Sequence, residues 1–160
     1  MDKVELRTER LLLRAPSPSD VEAITAACQD PEIQRRIPIP VPCTRSDAER
    51  YFTIYSDSGW ASGKSCTWAI TIADEFVGAI GLDGIGSEQA TIGYWLAVSS
   101  RGRGLLTEAA QAVVEFGFAR PPQDWASYAS SGMPTPAMLH PLASLAVSAF
   151  TSRGHFGSVP

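Results

Sequence analysis

Cysteine and histidine are scarce in this 160-residue chain, which has three cysteines (Cys28, Cys43 and Cys66) and two histidines (His140 and His155). An odd cysteine count without CxxC spacing argues against a disulfide framework, and so few imidazoles leave no zinc-ligand set. No metal is expected, and a reducing cytosol is the compartment that fits. Long apolar runs are also missing. Nothing approaches the roughly 20 residues that a membrane span requires, and residues 1–14 are charged, with no signal-peptide core. A cytoplasmic protein without a membrane partner is therefore expected. Excess positive charge is absent too: the formal net charge of -4 and the pI near 5.1 give no general attraction to phosphate backbones. A nucleic-acid partner is not expected.

What is present is the composition of a globular protein, 44% hydrophobic and 19% charged. The length suits one domain, because a chain of about 150 residues buries roughly 70% of its unfolded surface. Leu11, Leu12, Leu13 and Ala15 form an apolar run of strand length before Pro16. Ser17 to Asp20 then offer caps for a helix carrying Val21, Ile24 and Ala27. Pro38 and Pro40 break the following segment. Thr44 and Ser46 can cap a second helix bearing Ala48, Tyr51, Phe52 and Tyr55, expected to stop by Gly59.

Residues 66–72 and 76–82 are β-branched and aromatic, with Asp74 and Glu75 placed to turn a hairpin. Residues 84–88 supply another turn, and residues 90–98 read as a strand through Ile92, Tyr94, Trp95 and Leu96. A helix follows with Leu105, Leu106, Ala109, Ala110, Val113 and Val114 recurring on one side, ending by Arg120, Pro121 and Pro122. Strand, two helices, antiparallel strands, glycine-rich loop and helix make a mixed α/β order.

The chemistry concentrates in Arg101, Gly102, Arg103 and Gly104, between a strand and a helix start. Free backbone N–H groups and the helix dipole there make an anion site, and glycine lets the main chain approach phosphate oxygens. Arg101 or Arg103 can add charge-assisted contacts. The plainer alternative is a flexible turn with solvated arginines, and Gly-x-Gly alone does not exclude it. A second phosphate motif, Gly59 to Gly63-Lys64-Ser65, fails: it has three residues between the glycines instead of four and follows a helix instead of a strand.

Residues 92–118, beginning Ile-Gly-Tyr-Trp-Leu-Ala-Val-Ser-Ser-Arg-Gly-Arg-Gly-Leu-Leu-Thr-Glu-Ala, closely resemble the acetyl-CoA motif of the GNAT superfamily of N-acetyltransferases. The likeness is greatest to the branch that acetylates the N-termini of ribosomal proteins. It extends upstream to Leu6-Arg7-Thr8-Glu9-Arg10-Leu11-Leu12-Leu13-Arg14, similar to that branch's opening strand. The resemblance implies a mixed, mostly antiparallel twisted sheet flanked by helices, with acetyl-CoA as co-substrate. It implies cofactor contacts from the backbone of Leu96, Ala97 and Val98 and from Arg101, Gly102, Arg103, Gly104, Leu105, Leu106 and Thr107. Arg101 and Gly104 fill the first and fourth positions of the family's loop pattern. Leu106 departs from the small residue usual at the sixth, Val98 from a common Pro, and Thr91 from a common Glu that relays the amine's proton. Asp83 and Glu88 are nearby carboxylates whose favoured reading is as ordinary solvated loop acids, so no catalytic residue is assigned; Tyr94 and Trp95 read as packing residues.

The resemblance places an acetyltransferase core in residues 1–120 and leaves residues 121–160 as an atypical tail. That tail holds one acid, Asp124, and one base, Arg153, amid many Ser, Pro and Ala. The family's next parallel strand, its Asn-x-x-Ser loop and its final hairpin do not appear in it, so the C-terminal strands are expected to be missing or replaced. Read from the third base of each codon, residues 137–141 permit Asn, force Ala and then allow Ser at the fourth position. Residues 148–154 permit Gly-Phe-His, an apolar residue and Glu-Gly. A shift of reading frame between residues 120 and 124 is the expectation, checked by the gene's nucleotide sequence. Leu142, Leu145, Ala146 and Ala149 keep helical spacing.

The expected activity is acetyl transfer from acetyl-CoA to a primary amine, either a protein N-terminus or a small molecule, and weakened by the altered tail. The alternative is a non-catalytic CoA-binding or interaction module. Residues 38–44 are nominated as an acceptor-pocket wall; the acceptor and the oligomeric state are not legible.

Overall fold

The computed structural model describes residues 1–86 and 90–119. Two short strands, β1 (Leu6–Arg7) and β2 (Leu12–Arg14), form an N-terminal hairpin in place of one opening strand. Thr8 makes the break: its N–H donates to Leu11 O at 3.0 Å, and its Oγ1 accepts from Leu11 N–H at 3.0 Å. A 3-10 turn (Pro18–Asp20) leads into α1 (Val21–Ala27). Asp20 is buried there, held by two hydrogen bonds from Arg14 at 2.7 and 2.8 Å and one from Ser17 N–H at 2.8 Å.

A helix not anticipated from the sequence, α2 (Pro31–Arg36), comes next. Asp30 caps it by accepting from Glu32 N–H at 3.0 Å, with Pro31 at the first helical position, where its missing N–H costs nothing. The Asp-Pro pair was the available signal, but six residues are too few to show a helical period.

Thr44 opens a continuous helical stretch: α3 (Arg45–Arg50), a π-helical segment (Tyr51–Ser56) and α4 (Asp57–Ser62). The expected stop at Gly59 is corrected. The stretch runs to Ser62 and ends at Gly63, which is left-handed at φ 70. Gly59 serves close packing instead, since a Cβ there would lie 2.3 Å from Ser65 Oγ and 3.0 Å from Ser65 O.

β3 (Ser65–Ile72) and β4 (Glu75–Asp83) pair antiparallel, with Ile72 opposite Glu75. Ala73 and Asp74 both have positive φ, 48 and 67, the requirement of a tight type I′ hairpin turn. The turn therefore sits one residue earlier than expected, and Glu75 belongs to the strand. β5 (Thr91–Leu96) pairs antiparallel with β4 and gives way to a 3-10 turn (Val98–Ser100), shortening the strand read over residues 90–98. The helix α5 (Leu105–Phe118) follows. The sheet order is β1-β2-β3-β4-β5, antiparallel throughout the described residues.

Alternation along the strands gives the sheet two apolar faces. Leu13, Trp68, Ile70, Ile80 and Leu96 pack with Leu105, Ala109, Val113 and Phe116 of α5. Trp68 stands edge-on to both Trp60 and Phe116, with ring centroids 5.1 and 5.0 Å apart. On the other side, Val21, Ile24, Cys28, Cys43 and Ala48 enclose a second cluster, joined by Phe76 and Trp95. Each helix layer thus clamps one face of the sheet and fixes where β5 hands the chain to α5.

Expectations for the altered tail, its helical spacing and Glu88 lie outside the described residues. No helix among the described residues is long and apolar enough to cross a membrane, and no three His, Cys, Asp or Glu side chains among them group as metal ligands.

Candidate cofactor site

The end of β5 is pressed hard against β4. At Gly78, opposite Leu96, a Cβ would stand 2.4 Å from Trp95 O and 3.0 Å from Leu96 Cα. Ala97 N–H extends the pairing by donating to Val77 O at 2.9 Å. The chain then turns sharply: Ser100 N–H donates to Ala97 O at 2.9 Å, and Arg101 N–H to Val98 O at 3.3 Å. Val98 is 63% exposed, whereas Ser100 is buried.

Gly102 and Gly104 both adopt φ 74, a left-handed conformation that disfavours any side chain. Neither is crowded. A Cβ on Gly102 would meet nothing within 4 Å, and one on Gly104 would meet only Arg10 Nη2, at 3.7 Å. The glycines are thus required by main-chain direction, which turns the loop so that α5 starts at its rim.

Among the described residues, the amides of Gly104, Leu105, Leu106 and Thr107 donate to no carbonyl or side chain. Glu108 is the first to bond back, to Gly104 O at 3.2 Å. Four adjacent donors at the positive end of a 14-residue helix dipole make this helix start a candidate anion site. Leu105 is buried, and Leu106 packs partly against the α5 cluster. The apolar side chains at the helix start are therefore drawn toward the core. An open depression of about 470 Å³ adjoins this row, lined by Glu9, Arg10, Gly104, Thr107, Glu108 and Gln111.

An acid in this first turn would compete with a bound anion unless neutralised. Glu108 is neutralised by the N-terminal hairpin. One of its oxygens accepts from Thr8 Oγ1 at 2.5 Å and Arg10 N–H at 2.9 Å, and the other from Arg10 Nε at 2.7 Å. Burial opposes its ionisation, but these hydrogen bonds outweigh it and hold the carboxyl below the usual range. Arg10 Nη1 also donates to Arg103 O at 3.1 Å, tying the hairpin to the loop.

The two loop arginines point to different tasks. Arg101 turns inward: its Nε donates to Leu96 O at 3.1 Å and its Nη2 to Asp30 Oδ2. Arg103 is exposed, and its guanidinium has no ion pair among the described residues. Of the two cations offered by the sequence, Arg103 is the one left open to a ligand. Asp30 belongs to this neighbourhood and was missed, because contact across 71 residues leaves no local sequence signal.

Tyr94 packs partly against the α5 cluster, and Trp95 against Phe76 with ring centroids 5.5 Å apart. Asp83 stands opposite Thr91 and Ser65 at the strand ends; burial pushes its carboxyl up, partly offset by a hydrogen bond with Ser65.

Comparison with known proteins identifies the family of the chain. Residues 10–149 match the acetyltransferase (GNAT) domain family. An uncharacterized N-acetyltransferase p20 of Bacillus licheniformis is 30% identical over 117 residues, 71% of this chain, and the chain spans 65% of that relative's length. Among solved structures, a RimL ribosomal L7/L12 α-N-protein acetyltransferase in complex with coenzyme A superposes with TM-score 0.63 at 22% identity. It covers 73% of this chain and 69% of its own. The microcin C7 self-immunity acetyltransferase MccE, in complex with acetyl-CoA and AMP, has TM-score 0.60 at 19% identity, covering 68% and 63%. The family match spans most of the sequence, and the chain belongs to the acetyltransferase (GNAT) domain family.

Proposed function

We propose that this protein transfers an acetyl group from acetyl-CoA to a primary amine. The observation that carries the reading is the row of amides from Gly104 to Thr107, unpaired among the described residues and opened by two left-handed glycines at the end of a strand. Paired phosphates supply acceptor oxygens at the spacing of successive amides, and Arg103 adds a cation from the exposed side. The pantetheine arm carries amide groups of its own, so it can run along the backbone of Leu96, Ala97 and Val98 as an added strand would.

In the transfer, the neutral amine nitrogen attacks the thioester carbonyl carbon. The C–N bond forms, the C–S bond breaks, the amine loses a proton and the thiolate leaves and takes one up. Main-chain donors aimed at the carbonyl oxygen stabilise the charge that develops on it. A protein N-terminus is the acceptor proposed, on the likeness to the ribosomal L7/L12 enzyme, with residues 38–44 as one wall of its pocket. Turnover is proposed to be weak, because residues 121–160 carry no Asn-x-x-Ser loop to help hold the coenzyme and protonate the thiolate.

Calorimetry with acetyl-CoA, paired with a thiol-release assay on amine-bearing peptides, tests the reading. Binding with thiol release supports it, and binding without release on any amine indicates a CoA-binding module instead. No binding refutes the assignment of the loop.

A further inference from the structure

We propose that Asp30 is a positioning residue for the cofactor loop, acting through Arg101 to hold the end of β5 and the glycine turn in their binding geometry. The inference rests on reading that loop as the diphosphate site.

Asp30 uses both carboxylate oxygens. Oδ1 accepts from Glu32 N–H at 3.0 Å and caps α2, while Oδ2 accepts from Arg101 Nη2. The aspartate side chain is only 12% exposed and the arginine 37%, so the pair is screened less than a surface ion pair. Arg101 in turn donates Nε to Leu96 O at 3.1 Å. That bond spans the turn, fastening the residue that follows it to the last residue of β5. The carboxylate thus fixes the guanidinium, and the guanidinium fixes the chain on either side of the Val98–Ser100 turn.

Two consequences separate this from an ordinary salt bridge. The pair cancels the charge of Arg101, so phosphate contacts fall to the amides and Arg103, and Arg101 shapes the loop without ligating the anion. The strut also joins the α1–α2 junction, on the sheet face opposite α5, to the loop that starts α5. Cys28, two residues before Asp30, packs there with Cys43 of the nominated acceptor wall. A shift of that layer is therefore transmitted to Leu96 O and the turn.

The test uses Asp30→Asn, Arg101→Lys and the double variant in the full chain. Asparagine remains a good helix cap, so Asp30→Asn removes the charge while keeping the acceptor for Glu32. Lysine keeps the charge at residue 101 but cannot reach both partners as a planar fork does. Hydrogen exchange without ligand is expected to speed up about fivefold or more over residues 97–104 in each single variant, with α2 unchanged. Affinity for acetyl-CoA is expected to fall about tenfold in each, with the double variant no weaker than either single one. Unchanged exchange at residues 97–104, or losses that add in the double variant, would overturn the strut. If exchange responds but the unsubstituted protein binds no acetyl-CoA, the strut stands as a loop-positioning device and the diphosphate reading falls.

Discussion

Gly78 and Gly81 lie three residues apart on β4 and face β5, yet the same substitution should act on them in opposite directions. At Gly78, an alanine Cβ would be placed 2.4 Å from Trp95 O and 3.0 Å from Leu96 Cα, both main-chain atoms. Backbone cannot rotate away as a side chain can, so β5 must shift by a large fraction of an ångström where it meets the glycine loop. Overpacking of this kind costs about 1–3 kcal/mol, which at ~2–4 °C per kcal/mol for a chain of this size lowers Tm by about 2–12 °C. At Gly81, the nearest atoms to an added Cβ are Cys66 O at 3.5 Å, Thr67 Oγ1 at 3.6 Å and Gly93 O at 3.9 Å, all ordinary contacts. Alanine there narrows the unfolded ensemble and should stabilise by about 0.4–1 kcal/mol. Thermal unfolding of Gly78→Ala and Gly81→Ala beside the parent chain measures both. Acetyl-CoA calorimetry should show weakened binding for Gly78→Ala alone. Equal melting temperatures for the two variants, or a more stable Gly78→Ala, would refute the close approach of β4 and β5 on which the site's position depends.

Three further outcomes are expected. Arg103→Ala should weaken acetyl-CoA binding by about five- to tenfold in calorimetry while leaving the melting temperature unchanged, since its exposed guanidinium has no ion pair among the described residues. Ala73→Gly should raise Tm, because a left-handed conformation costs a non-glycine residue about 1–2 kcal/mol and Ala73 sits at φ 48. Asp20 should govern part of the acid limb of stability. Its burial opposes ionisation, but hydrogen bonds from Arg14 and Ser17 hold its carboxyl below the usual range. Its contribution is therefore present above the unfolded value of about 3.9 and is lost as pH falls through the lower folded value. Urea unfolding at stepped pH should show a flatter acid limb for Asp20→Asn.

The parts of this fold legible in the sequence are those whose signal is local and repeated. β3 and β4 announce themselves by β-branched and aromatic runs, and α5 by apolar residues that return each turn from Leu105 to Val113. The glycine loop was legible because φ 74 at Gly102 and Gly104 demands a specific residue type. Errors arose where one residue type has two physical uses. Gly59 looks like a terminator but is a close contact with Ser65, whereas Gly63, four residues on, is the true left-handed end. Ala73 carries no turn signal at all, yet strand pairing on both sides forces it into one. In the site, the main-chain donors were inferable, but the division of labour between Arg101 and Arg103 was not. It depends on Asp30 and Leu96 O, and only one of those is near in sequence.

The knot of Thr8, Arg10 and Glu108 sets the order in which the protein can be finished. Its partners are separated by up to 100 positions, so during synthesis the N-terminal hairpin emerges long before the acid that will secure it. Non-local closures of this kind form late because chain entropy must first be overcome. The N-terminal hairpin can therefore be fastened to the start of α5 only after that helix has been made.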